Sequence, residues 1–265
     1  MTKFFLWILG FVFASAQASG QIEKIDTDRP DQTESAVTVP NKYFQVELGF
    51  NKENLFGRNY DLIYPTALFK YGFKKFELRL ESTYRSSYEH LIPDPKWTSG
   101  LDPIEIGFKA AICEEKNWLP KTSVIFHLGL PTVASKPFRA DHIAPSFRFT
   151  MQHSLSEKIG LGYNLGAEWD GFRSTPVWIY TFVTGIELGE KWYTYLEAFG
   201  FVQKSDPAQH NIDGGIAYYI NRDVKLDVST GFGISDTSPK NYYALGISFR
   251  VNTKPGNVSH TKTDN

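Results

Sequence analysis

Apolar and polar residues alternate along most of the chain. In 42–50, Phe44, Val46, Leu48 and Phe50 fall on one side and Gln45, Glu47 and Gly49 on the other. In 75–85, Phe76, Leu78, Leu80 and Tyr84 oppose Glu77, Arg79, Glu81 and Arg85. The same parity runs through 103–113, 157–170 and 223–234, where Lys225 and Asp227 sit among outer Val224, Leu226 and Val228. A period of two marks strands with one apolar face. Weaker strands are expected at about 60–71, 122–131, 142–153, 177–188, 192–202, 210–220 and 241–251. In 60–71 and 192–202 neither face is clearly the apolar one. The pattern predicts twelve strands, and no stretch after residue 42 keeps a helical period over three turns.

The connections sort into two kinds. Every second one is compact and charged, at 72–74, 114–117, 156–158, 189–191 and 221–223. The others, at 51–59, 86–99, 132–141, 171–176, 203–209 and 235–240, are mostly longer and rich in Pro, Ser and Gly. Short turns at one end and long loops at the other characterise outer-membrane barrels. The expected fold is therefore all-β: a single antiparallel transmembrane β-barrel of about twelve strands with up-and-down topology, spanning 42–251. Its apolar faces would meet outer-membrane lipid. Rings such as Trp118, Trp169, Trp178 and Trp192 would form the interfacial girdles.

The first residues add a location. Met1-Thr2-Lys3, an apolar run at 4–14 and small residues at 14–18 follow the order of a secretory signal peptide, assigned to 1–18. The apolar run is too short for a membrane-spanning helix, which needs roughly 20 residues. An exported barrel is expected in the outer membrane of a Gram-negative-type envelope. Residues 19–41 form a polar segment placed in the periplasm or folded into the lumen as a plug. Residues 252–265 read as a polar, disordered tail. The last strand, Gly246-Ile247-Ser248-Phe249-Arg250-Val251, carries the alternating apolar ending that the barrel-assembly machinery reads.

Composition narrows the chemistry. The 265 residues include 21 Phe, 14 Tyr, 6 Trp and 21 Gly, a strand-rich profile. One Cys excludes an internal disulfide framework, and a net charge of −1 argues against nucleic-acid binding. Mean hydropathy is −0.31, as alternating barrel strands average out. The polar faces would line the lumen. The candidates there are Glu77, Arg79, Glu81, Arg85, Glu105, Lys109, Arg148 and Glu168, of mixed sign. Mixed signs allow pairing that narrows the interior, whereas rings of one sign would make an ion-selective pore. Twelve strands fall between filled eight-stranded barrels and wide porins.

Residues 26–40 read DTDRPDQTESAVTVP, and NKYFQVELGF follows. This opening resembles that of the outer-membrane transporter family named after the meta-cleavage pathway of phenol degradation. The matching positions are Thr27, Asp28, Arg29, Pro30, Asp31, Thr33, Glu34 and Ser35, then Tyr43, Phe44, Gln45, Glu47 and Gly49. Weaker echoes run on through Lys70-Tyr71-Gly72-Phe73, Asn164-Leu165-Gly166 and Asp213-Gly214-Gly215. The resemblance implies an outer-membrane barrel that passes small compounds, aromatic or apolar ones among them. It implies no catalytic residues.

Within the polar segment, Asp28, Arg29, Asp31 and Glu34 are candidates for a plug or gate anchored to lumen charges. The carboxylates there lack the spacing of a calcium loop. His142 and Ser146 share a strand parity, but no nucleophile–base–acid set accompanies them. The expectation is a non-enzymatic channel for small solutes, with no cofactor and no metal. The alternative is a closed structural or partner-binding barrel acting through its long loops, 86–99 above all.

Overall fold

The computed structural model describes residues 23–204 and 206–254. The signal peptide expected at 1–18 and most of the tail expected at 252–265 lie outside the described residues.

The strands are β1 (Tyr43–Asn54), β2 (Tyr60–Gly72), β3 (Phe76–Glu89), β4 (Lys96–Leu101), β5 (Ile104–Cys113), β6 (Lys121–Leu130) and β7 (Ala144–Ser154). They continue as β8 (Ile159–Glu168), β9 (Val177–Leu188), β10 (Trp192–Gln203), β11 (Gln209–Asn221), β12 (Val224–Gly233) and β13 (Asn241–Asn252). Each pairs antiparallel with its neighbours. β1 also pairs with β13, from Tyr43↔Asn252 to Asn54↔Asn241, so the sheet closes on itself. β4 and β5 are two lengths of one stave, since both pair with β3 and only Asp102-Pro103 separates them. Proline has no N–H to give the ladder, so the stave is interrupted there. The barrel thus has twelve staves. The closed ladder leaves no exposed sheet edge, as a bilayer requires.

Two boundaries differ from the sequence expectation. Residues 86–99 are not a long loop: β3 runs to Glu89 and β4 starts at Lys96. Tyr60, Tyr88 and Trp97 stack against one another on this extension, with centroids 4.9 to 5.6 Å apart. Tyr and Trp are good strand formers, and ring packing across strands outweighs the polar residues between them. β7 starts at Ala144, so His142 precedes the strand and shares no strand face with Ser146. The backbone N–H of His142 donates instead to Gly171 O across the long loops.

The barrel is inside-out relative to a soluble domain. Leu78, Leu165, Phe182, Leu196, Val228 and Leu245 point outward and are exposed, Leu196 by 69%. Lys109, Glu77, Gln45 and Glu47 point inward and are all but inaccessible. A continuous exposed apolar belt on a closed barrel is the surface that lipid covers. β10 resisted a parity reading because its inner face is aromatic too: Tyr195 and Phe199 are buried inside while Trp192 and Leu196 face out.

Candidate functional site

Residues 23–41 lie inside the barrel. They enter at the short-turn end, where the Ile25 N–H donates to Arg222 O (2.7 Å), Arg250 donates to Glu23 O and Lys24 pairs with Glu187. The segment climbs through Arg29 to Gln32–Glu34. It then descends to Val39, whose N–H donates to Glu77 (2.7 Å), and to Lys42, whose N–H donates to Gly72 O (2.8 Å). There it runs into β1. A polar, proline-bounded stretch suits this path, because few of its backbone groups pair with one another. Side chains of the wall pair them instead, as burial demands.

Asp28 is the hub. Its carboxylate accepts from Lys70 Nζ (2.8 Å), Arg79 Nη1 (2.9 Å) and Lys109 Nζ (3.0 Å), three cations from three successive staves. Arg79 also donates to Glu77 (2.9 Å) and to Glu34 (2.7 Å). Its Nε donates to Nε2 of His127 (3.0 Å). Glu34 lies 3.9 Å from Arg148, which pairs with Glu168 (2.8 Å). On the loop's far side carboxylates face it, beside Lys225, whose Nζ donates to the Thr27 hydroxyl and to Arg29 O (2.8 Å). Arg29 Nη2 donates to Asp227 (2.9 Å), and the N–H groups of Asp28 and Arg29 both donate to Glu47 (3.0 and 3.1 Å). Glu197 accepts from the N–H of Gln32 (2.7 Å) and the hydroxyl of Thr33 (2.5 Å).

Two glycines make room for Arg29. Gly49 and Gly246 are direct cross-strand partners. A Cβ on either would come within 2.1 Å and 2.4 Å, respectively, of the Arg29 guanidinium. Absence of a side chain at paired positions lets the planar group lie against the bare wall.

The sequence-derived candidates therefore divide. Glu77, Arg79 and Lys109 are buried together with Asp28 and Glu34. Arg148 and Glu168 pair beside them. Arg85 is apart, towards the long-loop end, bridging Asp61 (3.3 Å) and Asp102 (2.8 Å). Glu81 and Glu105 face open space. Asp31 lines the cavities on both sides of the loop. Lys70, Glu47, His127, Glu197, Asp227 and the glycine pair join the site without being among the lumen candidates of the sequence. Glu47 and Asp227 had shown themselves as polar positions on alternating strands; Lys70 and Glu197 were hidden where the inner face is not uniformly polar.

Cavities lie below and above the turn of the segment, besides one of about 280 Å³ at its entrance between Glu23–Asp26 and Val37–Pro40. One of about 260 Å³ opens on the short-turn side between Asp26–Ala36 and β8–β9, where Gly160, Gly162 and Gly185 line the wall. One of about 370 Å³ lies above the loop, lined by Asp28, Glu34, Glu81, Glu105, His127 and Arg148. A third, of about 410 Å³, continues it to the long loops past Arg85, Phe138, Trp169 and Phe172. Arg29, Asp31 and Glu34 border both the lower and the middle cavities. Among the described residues no group of three or more His, Cys, Asp or Glu could hold a metal ion.

Three solved structures that share this architecture are an outer-membrane channel and two porins. The COG4313 outer membrane channel from Pseudomonas putida F1 matches with a TM-score of 0.64 at 10% identity, covering 89% of this chain and 100% of that one. A NanC porin matches at 0.52 and 9% identity, over 78% of this chain and 100% of its own. A KdgM porin matches at 0.51 and 11%, over 77% and 98%. No curated protein matches the chain. At such identities these structures establish the fold, and the sequence itself establishes kinship: the model of the family described as "Putative MetA-pathway of phenol degradation" matches residues 27–251, and the chain belongs to that family.

Proposed function

We propose that the protein is a narrow outer-membrane channel for small solutes, with residues 23–41 as an internal plug that regulates passage. The short turns then face the periplasm and the long loops the exterior. The observation that carries this reading is the placement of Arg29, Asp31 and Glu34 between cavities that open towards opposite ends. Asp28 anchors the plug to Lys70, Arg79 and Lys109, and Arg29 anchors it to Asp227. Aromatic or apolar compounds suit the ring-lined outer cavity. The architecture is that of channels and porins, and the reading assigns the chain no catalytic step and no cofactor. The C-terminal strand β13, which closes the barrel against β1, is the segment offered to the assembly machinery.

Removing residues 21–38 tests the plug. The expected result is a several-fold rise in single-channel conductance in planar bilayers and faster swelling of solute-loaded liposomes. An unchanged record would refute the plug. A closed barrel acting through its long loops is the second reading, favoured by the buried ion pairs that tie the segment down. Absence of conductance both with and without the segment would establish it.

A further inference from the structure

The outer cavity differs from the rest of the lumen in how its charges are met. Below it, Asp28, Glu34, Glu77 and Asp227 each hold a cation. Above, Glu81 and Glu105 are direct cross-strand partners on β3 and β5 and line both the middle and the outer cavities. Like charges directly opposite one another repel. Among the described residues Glu81 has no ion pair or hydrogen bond. Glu105 has only His127 Nδ1, at 3.6 Å. That ring is neutral, because its Nε2 accepts the Arg79 Nε–H and the proton therefore sits on Nδ1.

Nearby guanidinium groups are engaged elsewhere. Arg79 is shared among Asp28, Glu77, Glu34 and His127. Arg148 donates to Glu168 and to Gln32 O, and Arg85 bridges Asp61 and Asp102. Two carboxylates thus face a cavity of about 410 Å³ with no cation of the protein between them.

The same cavity is lined by rings as well. Phe138, Trp169 and Phe172 line it. Phe138 already carries a cation on its face, the Arg85 guanidinium, 6.0 Å from its centroid. Ring faces attract cations, and the cavity volume lies within the roughly 300–1,000 Å³ usual for small-molecule sites.

We infer that this cavity binds a monovalent organic cation with an aromatic or apolar body, its ammonium group between Glu81 and Glu105 and its hydrocarbon against Trp169, Phe172 and Phe138. Such a ligand supplies the missing positive charge and covers the rings in one step. A neutral aromatic would leave the carboxylates opposed, and an aromatic carboxylate would add a third negative charge. The site names the solute class of the proposed channel and rests on that reading only for what happens after binding.

The test uses the full mature chain in detergent micelles, with calorimetric titration of 2-phenylethylammonium, 2-phenylethanol and phenylacetate. The ammonium ion is expected to bind at least about tenfold tighter than the alcohol, with the difference shrinking as salt screens the carboxylates, and phenylacetate is expected to bind weakest. The Glu81→Gln/Glu105→Gln double variant, its folding checked by heat-modifiable gel migration, should bind the ammonium ion and the alcohol alike. If the double variant does not fold, the two single variants decide, each losing part of the preference. Equal affinity for the three probes, tighter binding of phenylacetate, or an ammonium preference that survives the substitutions would overturn the inference. Binding without conductance would refute the channel and leave the site; conductance without selective binding would do the reverse.

Discussion

The two walls that grip the inner segment present different groups to it and use different chemistry. The wall from β2 to β7 offers Lys70, Arg79, Lys109 and Arg148, and it meets side-chain carboxylates of the segment, Asp28 and Glu34. The wall from β10 round to β1 offers Glu197, Asp227 and Glu47, which meet mostly backbone N–H groups and one guanidinium from Arg29, and also Lys225, which donates to the Thr27 hydroxyl and to Arg29 O. The first contact is charge against charge, three cations on one carboxylate. The second is largely hydrogen bonding, and it leaves carboxylate oxygens of Asp213 and Asp227 without a protein partner. The difference teaches that the segment is held in one orientation: rotating it would set Asp28 against Glu47 and Asp227, and Arg29 against Lys70 and Arg79. It also predicts an unequal response to substitution.

Asp28→Asn should have the largest effect. It strips three buried cations of their shared counter-charge, and breaking a buried pair from one side costs about 3–5 kcal/mol. Urea titration of the detergent-solubilised barrel should show it, together with raised conductance if the segment leaves the lumen. Stability within 1 kcal/mol of the parent, a limit set by the weight of a single net hydrogen bond at about 1 kcal/mol, would show the cationic wall to be self-sufficient. Arg29→Ala should cost less, about 1–3 kcal/mol: Asp227 loses its single donor, but one carboxylate can neutralise itself by taking up a proton, and the backbone bonds to Glu47 remain. Gly246→Leu, which fills the slot from the wall side, should displace Arg29 and raise single-channel conductance; a silent Gly246→Leu would mean that Arg29 does not need the slot.

Glu197→Gln probes the milder wall. An amide oxygen still accepts from Gln32 or Thr33, and the change removes a negative charge directly opposite Asp213 on β11. Stability should therefore move by no more than about 1 kcal/mol in either direction, and a loss approaching that of Asp28→Asn would erase the contrast between the walls. The smallest effect belongs to the entrance. Lys24 and Glu187 are both about one-third exposed. Lys24→Ala should change the unfolding free energy by well under about 1 kcal/mol once solvent screening is counted, and thermal melts at low and high salt should coincide.

Parity of the side chains made most of the barrel legible. Strands such as 177–188 are found where alternation placed them, because a strand between lipid and a charged lumen must be apolar at every second residue. Legibility failed where that rule relaxes. The wall of β10 bears Tyr195 and Phe199 inside, so Glu197 had no polar company to reveal it. The extension of β3 and β4 beyond the belt needs no apolar face, so 86–99 read as loop. The acidic and basic residues of 26–34 were conspicuous, but their partners lie some 20 to 200 positions away and share no local pattern with them.

The sequence by itself determined the strand count, the outward face of most staves, the sorting of turns and loops, and the family. These follow from local periodicity and from a contiguous motif, both carried by neighbouring residues. Tertiary structure alone decided that the motif turns back into the lumen, that Asp28 receives three cations while Glu81 and Glu105 receive none, and that two glycines 197 positions apart open a slot for one arginine. Closure of the sheet brings first and last strands together and aligns inward positions at a common height. Which charges then meet depends on register between distant segments, and a period of two says nothing about register.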